Sequence, residues 1–170
     1  MSYRIYPSLL PVDDTTMKHI ETLARTKGGS RIFNPDKKRW QTAILPTDSF
    51  YRAFVDALET TGVVRGRRIG TMAVLHSKAG CQQQQWHYDY DPSVVKKVRK
   101  KPCGALLALE KGTTLSIHGV GEVALNPGDC LVFEGDCVHA GSAYTKENTR
   151  VHVYLDVPTV NRETNITWWY

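Results

Sequence analysis

The sequence contains few cysteines and no long hydrophobic segment, and each absence restricts what the chain can be. Its four cysteines are far apart. The C-x-x-C spacing that is typical of zinc-binding and redox-active thiols does not occur among them. We therefore expect all four to be reduced and half-buried, namely Cys81, Cys103, Cys130 and Cys137. No apolar run approaches the roughly 20 residues that cross a bilayer, so no membrane partner is predicted.

The N-terminal residues also lack the basic stretch and apolar core of a secretory signal. This favours a cytoplasmic or nuclear protein that is not secreted. The 170 residues suit a single domain, with a helical part over about 1–62 and a barrel over about 69–157. The net charge of +5 permits an anionic partner, but it does not by itself indicate nucleic acid.

Two amphipathic helices are predicted in the first third of the chain. The first has a capping residue at Asp13 and apolar residues at helical spacing until Gly28 interrupts the pattern. The second begins at Asp48 or the residue after it and ends near Gly62. Residues 30–46, between the helices, are predicted to form a loop or a short strand.

From residue 69 onward the chain has short apolar or alternating runs separated by glycine, proline and asparagine, which is typical of strands joined by turns. Eight strands are predicted, at 69–76, 83–88, 104–110, 113–118, 121–125, 130–134, 139–144 and 150–157. Two helices followed by eight strands predict an α+β, mainly β fold. In it, the N-terminal helices pack on one sheet of a jelly-roll or cupin-like barrel.

Three residues have the chemistry of a metal site. His87 and Asp89 are two positions apart, so on an extended segment their side chains lie on the same side and can chelate one ion. A turn, an apolar strand and a second turn then lead to His139, which a hairpin would bring to the same place. Two histidines and one carboxylate with open coordination positions are typical of non-heme iron(II) oxygenases. Zinc would accept these ligands but cannot do the redox chemistry.

The predicted strand 150–157 has one aliphatic face and one polar face. Arg150, His152 and Tyr154 belong to the polar face. We expect the aliphatic face to pack under the helices and the polar face to point into the barrel or solvent. A guanidinium inside a barrel mouth needs an anion, and a carboxylate can accept two parallel hydrogen bonds from it.

The order of these motifs resembles the iron(II)/2-oxoglutarate-dependent dioxygenase superfamily, whose double-stranded β-helix carries H-x-D, a distant histidine and then an arginine or lysine. Here the series is His87-x-Asp89, then His139, then Arg150 eleven positions later. The resemblance implies that the first three residues bind iron(II), that Arg150 binds the distal carboxylate of 2-oxoglutarate, and that O₂ takes the remaining site. It implies hydroxylation, or hydroxylative demethylation, of a substrate that the sequence does not identify.

The chain departs from the family pattern in ways that bear on the co-substrate and the branch. Many members place a serine two positions after the arginine, where this chain has His152. We expect His152 or Tyr154 to supply that second co-substrate contact. Prolyl-hydroxylase-like members usually carry lysine in place of Arg150, and the nucleic-acid demethylases usually have a second arginine where this chain has Asp156.

Residues that flank the H-x-D motif are candidates for substrate contacts. Four are predicted there, namely Gln85, Trp86, Tyr88 and Tyr90. A shift of one residue in the register exchanges the faces on which the glutamines of 82–85 lie. His76 and His118 are further histidines that could lie near the pocket. The aromatic C-terminus, 168–170, is expected to fold back onto the body, since three exposed aromatic side chains would be sticky.

Two other functions remain open. A cupin-like metalloenzyme without 2-oxoglutarate fits residues 127–139, although its first motif would normally read H-x-H where this chain has His87-x-Asp89. A basic binding module would use the lysines and arginine of 96–101 to engage nucleic acid or an acidic protein. In a combined interpretation, this basic run is a lid that recruits an anionic macromolecule or a protein side chain as substrate.

Overall fold

Antiparallel strands form most of the regular structure in a computed structural model that describes residues 2–26, 28–32, 34–162 and 167–170. The helices are α1 (Asp14–Thr26), α2 (Ser49–Thr60) and α3 (Pro92–Val95). The strands are β1 (Tyr3–Tyr6), β2 (Ser30–Arg31), β3 (Arg39–Ile44), β4 (Arg68–Ser77), β5 (His87–Tyr88), β6 (Cys103–Ala108), β7 (Thr113–Ile117), β8 (Gly121–Leu125), β9 (Cys130–Glu134), β10 (His139–Gly141), β11 (Asn148–Asp156) and β12 (Trp168–Trp169).

The strands form a seven-stranded sheet and a five-stranded sheet. The larger has the order β1-β9-β6-β11-β4-β3-β2, and the smaller has the order β12-β5-β10-β7-β8. Along the chain, β6 lies in the larger sheet, β7 and β8 in the smaller, β9 in the larger, β10 in the smaller and β11 in the larger. This alternation is that of a jelly-roll, or double-stranded β-helix, so the predicted fold is confirmed.

The two long helices cover the outer face of the larger sheet, as predicted. Asp48 caps α2 by accepting a hydrogen bond of 2.9 Å from the backbone N–H of Phe50. The apolar stripe of α2 is buried in one cluster with alternate residues of β11, and each large side chain buried in this way contributes about 1.5–3 kcal/mol. The members from the two elements are Phe50, Phe54, Leu58, Val151, Val153 and Leu155. A second cluster includes Leu106, Leu115 and Phe133, contributed by β6, β7 and β9.

Residues 30–46, predicted to form a loop or a short strand, contain β2 and the six-residue β3, which pairs with β4 along its whole length. Two other strand predictions need correction. Residues 3–6, for which no strand was predicted, pair with β9 at one end of the larger sheet. Only the last two residues of 83–88 form a strand, because the glutamines before them bond to neighbouring segments through their side chains.

All four cysteines are free, as predicted, but they are buried rather than half-buried. Among the residues with described positions, no helix is long and apolar enough to span a bilayer.

Candidate metal and co-substrate site

A cavity of about 410 Å³ is lined by residues of both sheets. The larger sheet contributes lining residues from β2, β3, β4, β6, β9 and β11, and the smaller contributes them from β5, β7, β10 and β12. Large apolar lining residues include Leu75, Leu106, Leu115 and Phe133. The charged and polar groups described next therefore lie in a cavity whose lining is partly apolar.

The structure brings the three predicted metal ligands together in this cavity. One potential ligand atom from each of His87, Asp89 and His139 lies within 4.8 Å of the other two. The reason is the pairing of β5 with β10, in which His139 is directly opposite His87, so that their ring centroids are 4.5 Å apart. Asp89 follows β5 and faces His139, whose Nε2 is 3.6 Å from Oδ1 of the carboxylate.

Backbone carbonyl groups set the orientation of both imidazoles. Nδ1 of His87 lies 2.8 Å from the carbonyl oxygen of Gln85, and Nδ1 of His139 lies 3.0 Å from that of Cys137. A carbonyl can only accept, so each Nδ1 carries a proton and Nε2 is the nitrogen that each ring can offer to a metal. Hydrogen bonds of this kind usually fix histidine ligands in metal sites.

The carboxylate of Asp89 lacks the partners that a buried charge requires. Burial raises its pKa, but the nearby His139 and His152 outweigh that effect and hold the pKa below its ordinary range. Among the described residues Oδ2 has no hydrogen-bond partner, and Nε2 of His152 is 3.5 Å away. Burial also lowers the pKa of His139 to about 4. A buried carboxylate with an unbonded oxygen beside neutral imidazoles fits a divalent cation.

Gly104 of β6 makes room for this arrangement. A Cβ atom at this position would lie 2.5 Å from Cζ of Phe133 and 3.0 Å from Oδ2 of Asp89. The Phe133 ring in turn packs against His139 with a centroid distance of 4.6 Å. Because residue 104 has no Cβ atom, the Phe133 ring and the Asp89 carboxylate can both lie close to β6.

Arg150 lies in the same cavity and is 3% exposed. Its Nη1 donates to Oγ of Ser77 at 3.1 Å and to Oδ1 of Asn148 at 3.4 Å, and its guanidinium carbon is 5.0 Å from the centre of the Tyr144 ring. Burial lowers its pKa, yet an arginine in a protein stays protonated. No carboxylate of the described part of the chain forms an ion pair with it. A ligand carboxylate would supply the missing counter-charge.

His152 and Tyr154 line the cavity next to Arg150, on the face that the alternation of β11 predicts. Their rings are nearly perpendicular, at 81°, with centroids 4.5 Å apart. The guanidinium of Arg162 lies 3.9 Å from the centre of the Tyr154 ring. His152 is next to Asp89, so it is close to the candidate metal ligands. A contact of either residue with a co-substrate stays a prediction.

The four predicted substrate contacts have different positions. Tyr88 lines the cavity, whereas Gln85 and Trp86 do not; Trp86 packs edge-on against His118. Tyr90 is 1% exposed, its hydroxyl donates to Asp156 at 2.9 Å, and it does not line this cavity; its contact with a substrate stays a prediction. Its aromatic ring belongs to a separate buried cluster.

Gln84 occupies the cavity wall instead of Gln83 or Gln85. Its Oε1 accepts a hydrogen bond of 3.1 Å from the backbone N–H of Gly141, while Gln83 accepts one from Ser116. The position of Gln84 depends on residue 141, far away in the sequence, so no local pattern could have selected it. His76, which contacts Thr149, and His118 do not line the cavity.

The aromatic C-terminus folds back as predicted. Strand β12 pairs with β5, with Trp169 opposite His87, and Trp169 lines the cavity. The basic run 96–101 contributes no residue to the described lining of the cavity. Lys101 is engaged elsewhere, with Glu134 at 3.0 Å and Asp136 at 2.9 Å.

Further cavity residues were not predicted from the sequence. Thr71 and Arg162 line the cavity, and Nη2 of Arg162 donates to Oγ1 of Thr71 at 3.1 Å. Arg39 is fully buried nearby, and it donates to the same serine hydroxyl as Arg150. A buried arginine is rare enough that sequence reasoning places such a residue on the surface.

Protein-family models and curated proteins give no match to this chain, but solved structures match along nearly its whole length. HygX from Streptomyces hygroscopicus, with nickel and 2-oxoglutarate bound, has a TM-score of 0.72 and 10% identity over 97% of this chain and 87% of that chain. The viral collagen prolyl hydroxylase from Paramecium Bursaria Chlorella virus-1, in its 2OG complex, has a TM-score of 0.66 and 14% identity over 92% and 97%.

A third similar structure is the prolyl hydroxylase from Trichoplax adhaerens in complex with a peptide fragment of hypoxia inducible factor. Its TM-score is 0.68, with 10% identity over 91% of this chain and 83% of that chain. The chain therefore has the fold of the 2-oxoglutarate oxygenases.

Proposed function

We propose that the protein is a non-heme iron(II)/2-oxoglutarate-dependent dioxygenase that couples the oxidative decarboxylation of 2-oxoglutarate to hydroxylation of a substrate. One observation carries this proposal: a single cavity contains both the cluster of His87, Asp89 and His139 and the buried Arg150, which has no carboxylate partner in the described chain. The solved structures of the same fold with 2-oxoglutarate bound support it.

The residues present fit both groups. His87, Asp89 and His139 would hold iron(II) as a two-histidine, one-carboxylate site with open positions, and Arg150 would bind the distal carboxylate of 2-oxoglutarate. When bound, the iron supplies the redox chemistry with O₂ that no side chain offers. His152 and Tyr154 are proposed to contact the co-substrate in place of the serine that many members of the superfamily carry.

The chain itself would bind, orient and protect the reactants. The guanidinium of Arg150 orients a bound dicarboxylate because its planar N–H groups match two carboxylate oxygens. The apolar side chains of Leu106, Leu115 and Phe133 line the same cavity, and an apolar surrounding strengthens a charge interaction of this kind. Tyr88 and Trp169 line the same cavity and are available to contact a substrate.

We propose a protein side chain as the substrate class. The peptide complex of the Trichoplax adhaerens prolyl hydroxylase, which has the same fold, supports this choice. HygX is also found with hygromycin B bound, so small molecules belong in any screen. We also propose that the protein is located in the cytoplasm or the nucleus.

A screen for substrate-dependent succinate tests the proposed activity. The protein would be incubated with iron(II), 2-oxoglutarate, air and pools of peptides or small molecules, and succinate would be measured by NMR. We expect at least one pool to raise succinate formation in the wild type and not in Asp89→Ala. Succinate that never exceeds the Asp89→Ala background, although iron(II) binds, would favour the cupin-like alternative.

A further inference from the structure

Arg39 is a buried charged residue, and its hydrogen-bond partners among the described residues include no anion. Its side chain is 0% exposed, and its four hydrogen bonds to described residues all go to uncharged oxygens. Nε has no acceptor among the described residues. Arg39 does not line the cavity. Burying a charge is unfavourable unless hydrogen bonds or a counter-charge compensate for the lost water, so these four bonds keep Arg39 in place.

Three of the four acceptors of Arg39 belong to the two segments that carry the candidate metal ligands. Nη2 donates to the carbonyl oxygens of Gln82 at 2.8 Å, Gly141 at 3.2 Å and Ser142. Gln82 lies five residues before His87, and Gly141 lies two residues after His139. One guanidinium therefore connects the segment that precedes His87 with the segment that follows His139.

The direct pairing between these two segments is short, although β10 also pairs with β7 and β5 with β12. Strand β5 has two residues and β10 has three, and one residue pair joins them. Gln84 adds two bonds to Gly141, one from its backbone N–H at 2.9 Å and one to its side chain at 3.1 Å. Ladders this short are marginal alone, whereas a metal site needs its ligands held to within about 0.5 Å.

The same guanidinium also touches the candidate co-substrate site. Oγ of Ser77 accepts from Nη1 of Arg39 at 3.0 Å and from Nη1 of Arg150 at 3.1 Å. Both guanidinium carbons lie near the Tyr144 ring, at 5.8 Å and 5.0 Å from its centre. Ser77 thus joins the residue that braces the metal-ligand segments to the residue proposed to bind the carboxylate.

Resting on the function proposed above, we infer that Arg39 is a positioning residue that holds the segments of His87 and His139 and the Ser77–Arg150 pair in one arrangement. Its Nη2 serves the carbonyl oxygens of both segments while its Nη1 serves Ser77, so both arms of the planar fork are in use. A lysine keeps the charge but offers a single nitrogen, and an apolar residue leaves the carbonyls without a donor. Loss of Arg39 therefore weakens metal and co-substrate binding together, without removing a ligand to either.

The test compares four variants with the wild type. Arg39→Met removes both the fork and the charge, and Arg39→Lys removes the fork and keeps the charge. Ser77→Ala removes the hydroxyl shared by Arg39 and Arg150 and leaves the three carbonyl contacts of Arg39 in place. Leu58→Ala is the control for a general loss of stability. Leu58 belongs to α2, is fully buried in the core and does not line the cavity. Manganese(II) affinity would be measured anaerobically by electron paramagnetic resonance, 2-oxoglutarate affinity by calorimetry with manganese(II) present, and stability by urea denaturation.

We expect Arg39→Met to lower the manganese(II) affinity by about 10- to 100-fold, the range found when partners of metal ligands are removed, with partial rescue in Arg39→Lys. Ser77→Ala should weaken 2-oxoglutarate binding and leave manganese(II) binding close to wild type. Leu58→Ala should lower stability and leave both affinities unchanged. If Arg39→Met does not fold, Arg39→Lys and Ser77→Ala decide the question.

Two results would overturn the inference while the proposed function stands. Folded Arg39 variants could bind manganese(II) and 2-oxoglutarate as the wild type does, or Leu58→Ala could weaken both affinities to the same extent. A wild type that binds neither ligand would instead contradict the proposed function, and the inference with it.

Discussion

Nε2 of His139 lies 3.6 Å from Oδ1 of Asp89, and the two side chains are only 6% and 8% exposed. The imidazole donates from Nδ1 to a backbone carbonyl, so its Nε2 lone pair and the carboxylate face each other as two acceptors without a shared proton. Such a pair repels unless a cation stands with it. We expect the free energy of unfolding to depend on pH through His139. We expect metal binding to depend on the space near Asp89, and co-substrate binding to depend on Arg150.

Acid should destabilise the metal-free protein through His139. Burial lowers the pKa of His139 from 6.5 to about 4. Between these values the unfolded state binds a proton that the folded state does not, so the free energy of unfolding falls as the pH is lowered from 6.5 to 4. At pH 7 neither state binds this proton. The total loss is on the order of 3 kcal/mol.

Urea denaturation in a chelating buffer between pH 4 and pH 7 measures this loss. His139→Gln removes the titrating group, so its free energy of unfolding should depend less steeply on pH in that interval. Equal slopes for the wild type and His139→Gln would show that the buried imidazole is not responsible.

Gly104→Ala should damage the candidate metal site although residue 104 is not a ligand. The added Cβ would lie 2.5 Å from Phe133 and 3.0 Å from Asp89, so the ring or the carboxylate must move. We expect a loss of stability of about 1–3 kcal/mol and weaker manganese(II) binding. The second change Phe133→Leu, which makes room for the methyl group, should restore part of the metal affinity; a failure to restore any would contradict the steric explanation.

Arg150→Met should separate co-substrate binding from metal binding. The change removes a buried charge without a counter-ion as well as two hydrogen bonds, so the free energy of unfolding of the ligand-free protein should change by no more than about 1 kcal/mol. The affinity for 2-oxoglutarate should fall about 100-fold, or about 3 kcal/mol, with manganese(II) affinity unchanged. Arg52→Met, at an exposed position, is the matched control. An unchanged 2-oxoglutarate affinity in Arg150→Met would place the co-substrate elsewhere.

The sequence was informative wherever the local pattern carried the constraint. In β11 the strict alternation predicted that Val151 and Val153 would pack under the helices and that the opposite face, with Arg150 and His152, would point into the barrel or solvent, because the side-chain period of a strand is two. The structure places that face in the barrel. The two-residue spacing of His87 and Asp89 likewise sufficed to bring them into one cluster. Short-range geometry determines these features.

Residues held by distant partners could not be predicted. The segment 30–46 looks irregular in sequence, yet it supplies β3 and Arg39, whose acceptors come from residues 77, 82, 141 and 142. The position of Gln84 depends in the same way on Gly141. Tyr90 was proposed as a substrate contact, but it is buried and its hydroxyl bonds to Asp156. In each case the decisive partner is remote in the chain.

An anaerobic titration of the metal-free protein with iron(II), with and without 2-oxoglutarate, followed by visible absorption, tests the central claim most directly. The account predicts a weak metal-to-ligand charge-transfer band that requires both additions in the wild type. The band should be absent in Asp89→Ala, which loses a metal ligand, and at the same co-substrate concentration in Arg150→Ala. Iron binding without any band would contradict the 2-oxoglutarate site and favour the cupin-like alternative. Failure to bind iron at all would contradict the metal site and leave the basic binding module.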